Sequence, residues 1–173
     1  MWHLDNSMRL LCTLLALFVA GCAGYHLGPV KPYYMQDIHR LHVPVFLNKS
    51  LEPRIETLMT NIVIKQIQQD GTYEISSYDR ADAVMKGTIK EIKRRPLRSV
   101  RGNVLASSEF ELFISLHYEV IKKGSQLKLD SGKVRGTSDF FVGSDIQQEE
   151  REAIPIATES LAKELVSRLS EGW

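Results

Sequence analysis

Phe110-Glu111-Leu112-Phe113-Ile114-Ser115-Leu116-His117-Tyr118-Glu119-Val120 is the stretch that decides the fold. Phe110, Leu112, Ile114, Leu116, Tyr118 and Val120 alternate without a break, while Glu111, Ser115, His117 and Glu119 fill the positions between and Phe113 alone is apolar there. Successive side chains of a strand point to opposite faces, so this period describes one face on a core and one in water. Its length exceeds the ordinary strand and suits a long antiparallel hairpin.

Upstream, Ala83, Met85, Gly87 and Ile89 alternate in a second strand running to about Ile92, and the pattern slips at Glu91 and Ile92. A slip of one residue in a paired strand marks a bulge. Downstream, Lys123-Gly124-Ser125 and Asp130-Ser131-Gly132 read as turns, and Lys133 to Val142 as the last strand. Ahead of these lies Leu41 to Phe46, whose alternation predicts a strand; Pro44 cannot donate to a ladder and implies an edge or a bulge. Tyr73 to Ser76 is a further short strand, followed by the polar turn Asp79-Arg80-Ala81-Asp82.

Two segments change period. From Arg54 to Gln69, Ile55, Leu58, Met59, Ile62 and Ile67 recur at helical spacing, with Ser50 as cap, Pro53 in the first turn and Asp70-Gly71 as the stop. Ile154, Ala157, Leu161, Leu165, Val166 and Leu169 mark a second helix whose N-terminal end gathers Glu149, Glu150 and Glu152, with Pro155 in its first turn or as a kink if the helix begins earlier. With the Tyr73 strand merged into its successor the order is β-α-β-β-β-α. The expected fold is α+β, a two-layer sandwich with a mostly antiparallel sheet and two helices packed on one face, its core including Ile62, Leu112, Ile114, Leu116, Leu161 and Leu165.

The N-terminus carries a different message. The apolar stretch Leu10 to Ala20 spans about 16 Å as a helix against roughly 30 Å of hydrocarbon, too short to cross a bilayer. It ends in Leu17-Phe18-Val19-Ala20-Gly21-Cys22, small residues followed by a thiol, the pattern of a bacterial lipoprotein signal at residues 1–21 with Met1 or Met8 as its start. Cys22 then becomes the first mature residue, carrying a covalent diacylglycerol and an N-acyl chain and leaving no cysteine free for a disulfide. Each buried CH₂ contributes about 0.8 kcal/mol, so two or more chains give a stable anchor. Residues 22–40 form the lipidated N-terminus and a tether rich in Gly24, Gly28, Pro29 and Pro32, and residues 41–173 a single domain.

Hydrophobic residues at 43% and charged residues at 25% are ordinary for a globular chain, and the net charge is only +1. That balance conceals a gradient. Between Lys86 and Arg101 seven bases (Lys86, Lys90, Lys93, Arg94, Arg95, Arg98, Arg101) face a single acid, Glu91. Guanidinium groups donate paired hydrogen bonds to phosphate and keep their charge. An exported chain leaves anionic lipid headgroups, phosphorylated glycolipid or an acidic protein surface as partners, rather than nucleic acid. The alternative is a solvated hairpin that deters edge pairing.

Catalytic chemistry is not indicated. His39 and His42 are three apart, which a strand sends to opposite faces, and a metal needs three or four converging ligands. Ser107-Ser108 has no histidine arrangement nearby, and Gly102 and Gly136 are isolated, so no phosphate loop forms. The expectation is a non-enzyme without cofactors or metal.

Taken in order, several pieces resemble the LptE family of lipopolysaccharide-assembly lipoproteins: Cys22-Ala23-Gly24-Tyr25-His26-Leu27, Val43-Pro44-Val45-Phe46 with Asn48, Ser50 and Glu52-Pro53, then Leu58-Met59-Thr60-Asn61, Ala81 to Ile89, and the helix from Ala153 to Leu169. The resemblance implies an outer-membrane lipoprotein of the lipopolysaccharide translocon. Such a protein sits on the periplasmic side and within the lumen of the β-barrel LptD, which it plugs and helps assemble while binding lipopolysaccharide during insertion in the outer leaflet. Ala23 after the cysteine, rather than aspartate, agrees with outer-membrane sorting. On this reading Lys90, Lys93, Arg94, Arg95, Arg98 and Arg101 bind lipid phosphates. The chain is also similar to lipid-anchored periplasmic factors of the curli-secretion type, for which self-association is the signature.

Overall fold

The computed structural model describes residues 31–99, 107–141 and 145–172; the signal segment, Cys22, Arg101 and Val142 lie outside them. The sandwich is α+β, with a six-stranded sheet and two helices. The strands are β1 Arg40–His42, β2 Leu47–Asn48, β3 Glu74–Ile75, β4 Ala83–Ser99, β5 Ser107–Lys122 and β6 Lys128–Phe141; the helices are α1 Ile55–Asp70 and α2 Ile146–Glu171. The order is β3-β1-β4-β5-β6, with β2 also on β4. β4, β5 and β6 pair antiparallel, while β1 and β2 both run parallel to β4.

The compressed β-α-β-β-β-α order therefore resolves into β-β-α-β-β-β-β-α. Instead of one strand over Leu41 to Phe46 there are two, because Pro44 offers no N–H and the ladder to β4 stops at His42 and resumes at Leu47. β1 is an inner strand, between β3 and β4, and the break replaces the expected edge or bulge. The N–H of buried Phe46, freed from the sheet, donates to Thr60 Oγ1 of α1 at 3.0 Å. The Tyr73 strand is not merged with its successor: Glu74–Ile75 pairs parallel with β1 at the margin of the sheet.

Asn48, not Ser50, organises the approach to α1. Its amide donates to Glu52 O at 2.8 Å and Glu56 Oε2 at 3.0 Å and accepts from Ser50 N at 2.9 Å. Ser50 and Pro53 stay in the connection, and the helix starts after Arg54, which takes a left-handed φ of 66° and gives no side-chain cap. Gly71, with φ 76°, ends the helix as expected. Ile55, Met59, Val63 and Ile67 form the buried stripe; Ile62, expected in the core, packs only against its margin.

The bulge falls where the alternation slipped, between Ile89 and Glu91. Beyond it Ile92 pairs with Ile114 and returns to the helix-covered face. Lys123-Gly124-Ser125 is the β5–β6 turn, but Asp130-Ser131-Gly132 lies inside β6, opposite Val120, Glu119 and Tyr118. Turn-forming residues are tolerated there because Gly132 makes room for the Tyr118 ring; a Cβ would stand 3.0 Å from it. Gly136 has a stricter role. A Cβ on it would lie 2.0 Å from Ala157 O and 2.5 Å from Leu161 N, so α2 rests directly on the backbone of β6.

α2 begins eight residues before Ile154 and carries Pro155 in its interior. The cap is Asp145, whose carboxylate accepts from Gln147 N at 2.9 Å and Gln148 N at 3.2 Å. Ala157, Leu161, Ala162 and Leu165 are wholly buried against Leu112, Ile114, Leu116 and Val134. At the other end Tyr73 Oη donates to Leu169 O at 2.5 Å and Ser170 Oγ to Asp70 Oδ1 at 2.8 Å, fastening the ends of the two helices together. The packed part of the chain starts ahead of residue 41, since Met35 and Ile38 already belong to the core.

Candidate functional site

The basic run occupies the outer half of β4, and alternation divides it. Ladder partners share a face, so Arg94 opposite Leu112 lies on the helix side, whereas Lys93 opposite Phe113 and Arg95 opposite Glu111 lie on the uncovered side. Lys90, the residue bypassed at the bulge, is exposed on the rim of a groove in that uncovered side. Arg98 continues the strand opposite Glu109; its side chain and Arg101 are outside the described residues.

Among the described side chains, three of these cations meet carboxylates. Arg94 Nη1 bonds Glu150 Oε2 at 2.7 Å and so braces the hairpin against the N-terminal part of α2. Arg95 Nη2 reaches Glu111 Oε2 across the ladder at 2.7 Å, and Lys93 Nζ lies 2.5 Å from Glu91 Oε2. The hydrogen bond from Lys93 holds the Glu91 carboxyl below its ordinary range, against some desolvation. Exposed pairs of this kind contribute little to stability and remain available to exchange partners. Phe110 and Phe140 stack at 5.8 Å beneath this end, while Leu97 and Phe141 stay exposed.

The uncovered face of β4, β5 and β6 is polar along its middle, between the pair Val84 and Ile121 at one end and Phe141, opposite Glu109, at the other. Phe113, apolar in the middle of this face, is capped by the Arg135 guanidinium 5.1 Å from its ring centre. His117 sits between Thr88 and Lys133 in a single row across three strands. Partial desolvation, with Lys133 and Lys90 nearby, pushes its imidazole below the usual value and favours the neutral ring. This second concentration of charge joins Lys86 and Lys90 of the basic run to Lys128 and Lys133 of a distant strand, a grouping that the chain order does not display.

His39 and His42 do not converge on a common ligand. His42 Nδ1 lies 3.1 Å from Ser76 O with its ring edge-on to Tyr78, and the His39 and Arg40 N–H groups donate to Asp82 Oδ2 at 3.1 and 2.8 Å. Arg40 Nη2 adds a bond to Asp82 Oδ1 at 2.9 Å, and these contacts hold the Asp82 carboxyl down to about 2. Asp82, read as part of a turn, is thus the clamp between β1 and the start of β4.

The family model that matches is LptE, lipopolysaccharide-assembly, over residues 38–169. Solved structures with the same fold include a lipoprotein of Caulobacter crescentus (13% identity, 73% of this chain and 88% of that one, TM-score 0.50). PelC of Paraburkholderia phytofirmans, a dodecamer, aligns at 17% identity over 84% of this chain and 96% of its own, with TM-score 0.51. A minor lipoprotein of Acinetobacter baumannii aligns at 12% identity over 77% and 93%, with TM-score 0.52. Among curated proteins nothing matches.

Proposed function

The chain belongs to the LptE lipopolysaccharide-assembly family, and on that premise we propose that it is an outer-membrane lipoprotein of the lipopolysaccharide translocon, acylated at Cys22 and seated in the lumen of the LptD β-barrel. The observation that carries the reading is the family match across essentially the whole packed domain. The protein acts by binding and not by catalysis. Among the described residues no cluster of three or more His, Cys, Asp or Glu gathers as a metal would need, and no helix is long and apolar enough to cross a membrane. Attachment in this reading is by the acyl chains on Cys22.

Barrel lumens are polar, so the surface that meets LptD is a solvated one. The solvated sides of the helices and the polar parts of the uncovered sheet face outside its groove both fit that requirement. Lys90, Lys93, Arg94, Arg95, Arg98 and Arg101 supply the phosphate-binding end. The pairs to Glu91, Glu111 and Glu150 preorganise three of these cations and yield to the doubly charged phosphate, with which a guanidinium makes two parallel bonds.

Affinity purification of the tagged, acylated protein from detergent-solubilised outer membrane tests this directly. A one-to-one complex with a β-barrel protein is expected. Recovery of homo-oligomers alone would replace the plug with a self-associating periplasmic assembly factor of the curli-secretion type.

A further inference from the structure

The uncovered face holds a groove of about 650 Å³ whose walls, among the described residues, come from strands and the segment that joins β1 to β2. On its floor Thr88, His117 and Lys133 stand in one row, and Lys86, Glu119 and Ser131 in the next. Four lysines line it against one acid, Glu119, and that acid already pairs with Lys128 at 3.3 Å. Lys86, Lys90 and Lys133 make no ion pair among the described residues. Grouped, unpaired charges of one sign repel one another and create a strong local field for an anion.

The rim has a second property. Val45 and Leu47 are 65% and 56% exposed on the edge of the same groove, an apolar shoulder beside a cationic floor. A free inorganic anion would use the floor and leave the shoulder wet. An amphipathic anion uses both.

We propose that this groove is a second anion site, which takes the phosphorylated headgroup of a glycolipid on Lys86, Lys90 and Lys133 and the first carbons of an acyl chain on Val45 and Leu47. It adjoins the hairpin end through Lys90, which belongs to both, and extends away from it: Lys86 and Arg95 are nine residues apart along β4, about 30 Å at strand spacing. The naming of the glycolipid as lipopolysaccharide rests on the family reading, whereas the site itself rests on the groove. His117 lies among the three cations and reports on occupancy, since a bound phosphate would favour its charged form.

The test uses the full acylated protein in a phosphate-free neutral detergent at low salt. Its probes are mixed micelles of bisphosphorylated lipid A, the same micelles with dephosphorylated lipid A, inorganic pyrophosphate, and a polyglutamate peptide. The variant Lys86→Gln/Lys90→Gln/Lys133→Gln should lose about tenfold or more in affinity for the phosphorylated micelles, as expected for charged hydrogen bonds, and nothing for the dephosphorylated ones. Val45→Ser/Leu47→Ser should weaken micelle binding and leave pyrophosphate unchanged. Pyrophosphate should raise the His117 ring pKa in NMR titration of the wild type and of Arg94→Gln/Arg95→Gln/Arg98→Gln alike, and not in the lysine variant.

Wild-type micelle affinity in the lysine variant, or in Lys133→Gln with an unchanged circular dichroism spectrum should the triple variant misfold, would overturn the proposal. So would lysine-dependent binding of polyglutamate without binding of lipid, which assigns the groove to an acidic protein segment. Recovery of the barrel complex is a separate readout. It can fail while the groove titrates as expected, or succeed while the groove binds nothing.

Discussion

The two faces of the β4–β5–β6 sheet come from the same three strands and differ in almost every respect. On the helix-covered face Met85, Ile89, Leu112, Ile114 and Leu116 are wholly buried. One residue along each strand, Lys86, Thr88, His117, Lys133 and Arg135 stand on a face that carries no helix among the described residues. Stability is concentrated on the first face because burial of apolar area is the large favourable contribution there, while exposed charge pairs add little. The second face is thereby left free to change its chemistry without unfolding the domain. One alternating pattern carries both the fold and the binding surface.

The largest expected effect comes from breaking the covered face. Ile114→Ala should lower stability by about 2–5 kcal/mol, read as a fall in the urea midpoint with unchanged slope, since it opens a cavity between β5 and the helices. A neutral result would mean that the two faces of β5 are assigned the wrong way round. Gly136→Ala probes the same layer from the opposite direction, by adding a methyl where α2 touches the backbone of β6. A loss of about 1–3 kcal/mol in the same measurement is expected, because overpacking forces the helix to shift.

A smaller, pH-dependent effect belongs to the clamp at Asp82. Its carboxyl is held down to about 2 in the folded protein, chiefly by the bond from Arg40, against about 3.9 for an unfolded aspartate. The unfolded state therefore takes up protons first as the pH falls. The contribution is complete above about pH 4 and is lost as the pH drops toward 2. Asp82→Asn should be less stable than the parent at neutral pH and converge on it in acid, and parallel stability curves would contradict the assignment. The smallest effects belong to the uncovered face. Lys133→Gln or Lys86→Gln should change the unfolding free energy by no more than about 0.5 kcal/mol, and a larger loss would show that this face also supports the fold.

The covered face was legible in the sequence because β5 repeats with period two for eleven residues and the bulge announces itself as a slip in β4. The short parallel strands were not, since two or three residues contain no period to read. Pro44 signalled an interruption but not that both halves would pair with β4. The early start of α2 was hidden by the polar run Gln147 to Glu152 and by Pro155, which resembles a first turn; Asp145 three residues ahead of Gln148 is the signal that identifies the cap. Gly136 stands isolated in the sequence because its meaning depends on a helix that packs on it from more than twenty residues away. For the candidate site, the basic run was visible as a run, but its pairing with Glu150 is a contact 56 residues distant. The groove needed the register of three strands to bring Lys86 and Lys133 together.

The central claim is that exposed charge, and not the core, meets the phosphates of lipopolysaccharide. The most direct measurement is binding of lipopolysaccharide to the full acylated protein and to Arg94→Gln/Arg95→Gln/Arg98→Gln, at low and high salt, with folding followed by circular dichroism. The account predicts weaker binding in the variant, a loss of affinity for the parent as salt rises, and identical spectra. Equal affinity for both proteins at low salt would contradict it.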